Sequence, residues 1–351
     1  MKAKDNNFDC IRMLAAALVI FSHQYGLMGR GEPTVFDGFS YGGLGVVIFF
    51  SLSGYLVTQS WERDPSVWRF SAKRALRIFP ALICATLLMA LVMGPAVTTL
   101  NYTDYFSSPE VRRFVFGTAT TLNMTDTLPG VFENLHYQTV NSSLWTIPVE
   151  LKWYGFVIFL GLFGVLRNRF ALPLAILALL IGRFILPIPE AHHPLLDFGM
   201  CFLFGMAMHV CRADIDRYRN VIAPAIGCAA LVCWLLRNEY LSLVIAVPYA
   251  VVTIGRMSTP VVRRFGRLGD VSYGMYIYAF PIQQIIISVT HNSLPTLLCF
   301  LLSLAVTAAM AFVSWHLVEH PAMSMRRFFG PKQQARDSTH YQEATPTGSS
   351  I

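Results

Sequence analysis

The chain reads as an all-α integral membrane protein of about ten transmembrane helices, with both termini cytoplasmic and one long outer loop. Three observations predict this. Of 351 residues, 54% are hydrophobic and 13% charged, a balance unlike that of ordinary soluble domains. The apolar residues fall in continuous runs of roughly 17 to 25, enough to cross a bilayer as helix, without the alternation of a membrane β-barrel. The basic residues alternate by loop. With the N-terminus inside, 20 of the 27 Lys and Arg fall on the inner side, and this bias sets orientation.

The expected spans are approximately 9–28, 41–60, 77–99, 147–166, 170–187, 194–211, 220–236, 239–256, 271–290 and 295–318. They form one transmembrane domain over residues 1–325. Residues 326–351 are a polar cytoplasmic tail, Gln/Ser/Thr-rich from Gly330 onward and of disordered composition. The first apolar run has no small-residue cleavage site, and more spans follow it, so it reads as a span and not as a cleaved leader. The net charge of +7 is spread over short clusters between apolar runs, the pattern of a topology signal and not of a nucleic-acid surface. The seven cysteines lie in or at the ends of spans, without metal-ligand spacing, and read as small apolar packers. No metal is expected.

Span 1 carries Asp9, Arg12 and His23. Ionisable residues inside a membrane segment are costly and are functional candidates. Arg12 and His23 are eleven positions apart, which returns to within roughly 20° of one helix face and separates them by about 16 Å along the axis. The plain alternative is a snorkelling Arg12 and an interfacial His23. Span 2 contains Ser53-Gly54, small residues that let helices approach closely. Lys73, Arg74 and Arg77 stand at the inner mouth of span 3. They suit phosphate groups, although flanking a span from inside would account for them too.

Residues 100–146 form the long outer loop, a candidate lid or acceptor surface, or else a spacer over the bundle. Asn101, Asn123 and Asn141 begin outer-facing sequons. Span 4 opens at Trp145, with Pro148 in its first turn and Glu150 expected just inside the outer interface, at roughly the depth of His23. An imidazole and a carboxylate at one depth would make a base and its orienting group. Glu150 could instead cap its helix or pair with Lys152. Span 9 carries Tyr273, Tyr276 and Tyr278 and is expected to break at Pro281, freeing carbonyls that must be buried or face a wet cavity. Span 10 ends at Glu319, near the inner surface.

Phe8-Asp9…Arg12…His23, Phe49-Phe50…Ser53-Gly54-Tyr55-Leu56, Lys73-Arg74…Arg77-Ile78…Pro80, Trp145…Glu150…Tyr154, Ser272-Tyr273-Gly274…Tyr276 and Glu319…Pro321 occur in that order. Together they resemble the acyltransferase-3 family of membrane O-acyltransferases, especially the bacterial members that acylate surface polysaccharides. The resemblance implies a multi-pass protein of the bacterial cytoplasmic (inner) membrane, with membrane lipids around it; the clustered charge pattern adds the expectation of no nucleic-acid partner. It implies acetyl-CoA as cytoplasmic acyl donor and a surface polysaccharide or lipid-linked glycan as acceptor. On that basis His23 and Glu150 are the candidate catalytic residues, and Arg12, Arg74 and Arg77 bind the donor. Asp9, Ser53, Trp145, Tyr154, Tyr276 and Glu319 support substrate or structure. The histidine that many relatives have before the span-9 proline is missing here, where the chain reads Tyr278-Ala279-Phe280-Pro281. Two other readings stay open: transfer of succinyl or another short acyl group, and a transporter or flippase of a lipid-linked or acidic solute using Arg12, His23 and Glu150 as its path.

Overall fold

The computed structural model describes residues 6–36, 38–185, 193–262 and 269–329. The first helix, α1, spans Phe8–Leu27. A short hairpin of β1 (Thr34–Phe36) and β2 (Phe39–Ser40) follows it. Ser40 then caps α2 (Tyr41–Arg63) by accepting the Gly43 N–H, and Ser66 caps α3 (Val67–Leu88) in the same way. The helical path of α3 continues through a π turn at Met89–Met93 to Val97. Two short helices come next, α4 (Tyr102–Ser107) and α5 (Pro109–Thr120). A 3-10 turn at Ser142–Trp145 leads into α6 (Thr146–Leu162).

The remaining helices are α7 (Ala171–Ile185), α8 (His193–Val210), α9 (Arg212–Arg217), α10 (Arg219–Leu235), α11 (Glu239–Arg256), α12 (Ser272–Val289) and α13 (Thr296–Ser314). A second π turn, Trp315–Glu319, extends α13. Each of the ten expected stretches holds a helix. Among the described residues, five helical stretches are long and apolar enough, by length and composition, to cross a membrane: Phe8–Leu27, Tyr41–Arg63, Val67–Val97, Glu239–Arg256 and Thr296–Phe329. Leu91, Val92, Leu297, Leu301 and Phe312 are large, apolar and exposed on two of these stretches, as lipid-facing positions are.

Helix α2 is the axis of the bundle, packed by α1, α8 and α11. Glycines allow the closest contacts. A Cβ at Gly54 would overlap the Phe202 carbonyl oxygen, and one at Gly205 would overlap the Ser51 carbonyl oxygen, so α2 and α8 touch backbone to backbone. Gly42 faces Ser22, Gly45 faces Ala15 and Val19, and the Tyr55 ring lies 5.7 Å from that of Phe8. Helices α1 and α2 are therefore antiparallel, and residues whose numbers sum to about 63 stand abreast.

Three expectations about the long loop and span 9 are corrected. Helix α12 runs unbroken through Pro281. The carbonyl of Ile277, which Pro281 leaves without its i+4 partner, accepts a 2.8 Å hydrogen bond from the Asn141 side-chain amide. Asn141 is thus 2% exposed and is no outward-facing sequon. The loop itself enters the bundle. Gln284 donates to the carbonyls of Tyr137 and Thr139, and Tyr276 donates to that of Ser143, so residues 137–143 run down α12 for about 10 Å. Non-helical backbone at that depth is tolerated because protein groups satisfy it. Of the expected tail, Met325–Phe329 form a 3-10 turn, and residues 330–351 lie outside the described residues.

Candidate active site

The two ends of α1 carry different chemistry. At the Arg12 end, Asp270 Oδ2 accepts from the guanidinium of Arg12 at 2.8 Å and from that of Arg77 at 2.7 Å. Its other oxygen accepts from Ser272 at 2.6 Å. Asp9 stands 3.7 Å from Arg12, and Glu319, 1% exposed, stands 3.6 Å from Arg77. The π turn sets that last contact, because its wider winding swings Glu319 in under Ser314, which donates to it. Asp270 was not among the sequence candidates. Its signal was an acid two residues before the Ser272-Tyr273-Gly274 motif, directly after Gly269, whose φ of 92° marks a turn that glycine favours.

Arg74 differs from its neighbours. Its guanidinium lies 5.9 Å from the Phe70 and Tyr154 ring centroids. Among the described residues it makes no ion pair, and its buried Nε has no hydrogen-bond partner. Arg74 lines a cavity of about 110 Å³ together with Arg12, Arg77, Ser53, Glu150 and Tyr276.

Glu150 belongs to this cavity. Its Oε1 accepts from Ser53 at 2.6 Å and from Tyr154 at 2.5 Å. Ser53 stands abreast of about residue 10 of α1 and about 16 Å along α2 from Gly42, the partner of Ser22. The expected common depth of Glu150 and His23 is therefore corrected: Glu150 lies in the Arg12 layer. The descending loop explains the error, since α6 starts deep in the bundle and not at its rim. Glu150 neither caps α6 nor pairs with Lys152, whose side chain is exposed. Tyr276 bonds the Ser143 carbonyl and the Thr146 hydroxyl, each at 2.6 Å, and so ties the 3-10 turn to the cavity wall. Trp145 is 44% exposed and packs against Phe198.

His23 sits at the other end. Its ring meets the edge of Phe280, centroids 5.6 Å apart, and Glu32 lies at the same end of α1. Glu32 accepts a 2.6 Å bond from Ser22 and packs over Gly26. The ring of His136 lies against Gly29 nearby. Sequence reading missed Glu32 because it follows the span in a loop, and only the fold-back places it beside α1. Tyr278, the residue at the place of the missing histidine, lies 3.3 Å from Ser314, the hydroxyl that donates to Glu319.

An acyltransferase domain model of the acyltransferase-3 type matches residues 5–316. The chain belongs to the acyltransferase-3 family. An O-acetyl transferase of Shigella phage Sf6 is 34% identical to this acyltransferase over 333 residues, covering 90% of this chain and 95% of the phage protein. Nodulation protein 10 of Rhizobium leguminosarum bv. viciae is 29% identical, covering 92% and 94%. The peptidoglycan O-acetyltransferase OatA of Listeria monocytogenes is 22% identical, with 90% of this chain matching 55% of OatA. No solved structure matches. Membership over nearly the whole chain, with apolar helices long enough to cross a bilayer, makes this acyltransferase a membrane O-acyltransferase.

Proposed function

We propose that this acyltransferase moves an acyl group, acetyl by preference, from cytoplasmic acyl-CoA to a hydroxyl of a surface glycan such as O-antigen, capsule or exopolysaccharide. In this reading it is a ten-span protein of the bacterial inner membrane, with both termini and the Arg12 end facing the cytoplasm. The observation that carries it is Arg74: a guanidinium that makes no ion pair among the described residues, facing a cavity that also holds Glu150. A cation without a direct ion pair among apolar helices is costly unless a ligand completes it. The named O-acetyl transferase and O-acetyltransferase relatives support acetyl over a larger anionic acyl group.

The donor arm enters past Arg12 and Arg77, whose forks Asp270 holds in place, and Arg74 and Glu150 grip its polar groups. His23, about 16 Å further along α1, serves the acceptor side. As general base it takes the proton of the sugar hydroxyl while the oxygen attacks the thioester carbonyl. The C–S bond breaks, and CoA leaves as thiolate to be protonated. Alternatively the imidazole accepts the acyl group first and then yields it to the sugar. The two routes differ in whether an acyl-enzyme can be trapped.

The test is the base-labile ester content of surface polysaccharide from cells carrying the wild-type gene, a His23→Ala version or none, at equal membrane abundance. Ester present with wild type and absent with His23→Ala is expected, and its mass identifies the acyl group. No ester difference among the three strains overturns the reading.

A further inference from the structure

A second cavity, of about 410 Å³, opens where α1 begins and where α2 and α11 end, and it shares Arg12 and Leu56 with the first. Their sizes divide the work. Small-molecule sites run from about 300 to 1,000 Å³, so the mouth can take a nucleotide and the 110 Å³ chamber behind it can take only a narrow group.

The walls of the mouth are specific. Phe8 and Tyr55 form an aromatic side, their planes at 39°, and Phe8 is held in place against Gly255. Gln59 offers an amide donor and acceptor. Asp9, 3.7 Å from Arg12, lines the mouth too. Of the three arginines, Arg12 is committed to Asp270, and Arg256 donates two hydrogen bonds to Asp216, one from each terminal nitrogen. Arg63, at the last residue of α2, makes no ion pair among the described residues. An aromatic side, an amide and a guanidinium with no ion pair among the described residues complement a phosphorylated nucleoside.

We propose that the mouth holds the nucleotide bisphosphate end of the acyl-CoA donor, with Arg63 as its phosphate-binding residue, while the inner chamber receives only the acyl-bearing arm. Arg12 stands at the junction, on the route from mouth to chamber. The proposal rests on the acyl-CoA reading above and adds a site to it.

The probe is adenosine 3′,5′-bisphosphate, applied to the purified full chain in nanodiscs of zwitterionic lipid so that no anionic headgroup competes. It should bind wild type and compete with acyl-CoA. Arg63→Gln should weaken both the probe and acyl-CoA about tenfold or more, with kcat little changed, and Arg63→Lys should recover part of the loss. An acyl-pantetheine donor, which lacks the nucleotide, should show the same KM in wild type and Arg63→Gln. Damage to the fold would instead change both donors alike. The proposal falls if the probe neither binds nor competes while glycan is still acylated. It also falls if Arg63→Gln acts equally on both donors, or if the Arg63 effect appears only when anionic lipid is present, which would mark a headgroup site. If the probe binds through Arg63 but no glycan is acylated with any donor, the nucleotide site stands and the acceptor reading falls.

Discussion

Ser53 and Glu150 are joined by a 2.6 Å hydrogen bond from α2 to α6, and this bond assigns Glu150 to the layer of Arg12 and Arg74. His23 lies near the other end of α1, about 6 Å before Leu27 and some 16 Å from Arg12. Two acid–base centres therefore face opposite ends of one helix. Glu150→Gln should lower transfer by roughly tenfold to hundredfold, the worth of hydrogen bonds to a charged group, and should act chiefly on the donor KM. His23→Ala should lower transfer by about 10² to 10⁴ at unchanged donor affinity. Initial rates with varied donor for both variants check this, and equal effects of Glu150→Gln on donor and acceptor KM would contradict it.

Asp270 holds two guanidiniums through one oxygen. Removing one partner of a buried ion pair costs about 3–5 kcal/mol because the other charge stays buried. Asp270→Asn should therefore lower the thermal unfolding midpoint of the detergent-solubilised protein strongly. Arg77→Met in the same background should lessen the loss, since it removes one of the two guanidiniums that Asp270 holds.

The Asn141 amide satisfies the carbonyl that Pro281 strands. Asn141→Leu should cost about 1–3 kcal/mol, the penalty of an unpaired buried polar group. Pro281→Ala restores a backbone N–H within reach of Ile277, so the same Asn141→Leu change should cost less in that background. A double-mutant cycle on thermal stability measures the coupling; additive losses would show that the two residues are independent.

Asp64 links α2 to α3 outside the spans. Hydrogen bonds from Arg69, reinforced by Lys73, hold its carboxyl at about 2, below its ordinary 3.8. A depressed carboxylate contributes stability that is present above its unfolded value and lost as pH falls toward the folded one. Asp64→Asn should cost about 1 kcal/mol at pH 6, allowing for solvent screening, and the difference from wild type should close between about pH 4 and 2. Unfolding midpoints across that range read it directly.

How much was legible depends on the range of the interaction concerned. Apolar run length is a local property, and each of the ten expected stretches does contain a helix. The shared face of Arg12 and His23 follows from helix geometry alone, and the inner basic motif did hold Arg74 and Arg77, which line one cavity with Arg12. Depth across helices was not legible. Glu150 was assigned to the rim because an outer loop precedes it, and nothing local announces that residues 137–143 descend along α12.

The sequence by itself determined the helical membrane class, the six ordered motifs and the positions of the ionisable residues along each helix. Tertiary structure decided which of those residues meet. Asp270 became the shared counter-ion, Glu32 was bonded to Ser22 at the His23 end of α1, and Arg74 was left without an ion pair among the described residues. The physical reason is that helix periodicity and hydropathy are set by neighbours within a turn or two. Ion pairs between helices depend instead on register between segments far apart in the chain, such as the 258 residues between Arg12 and Asp270.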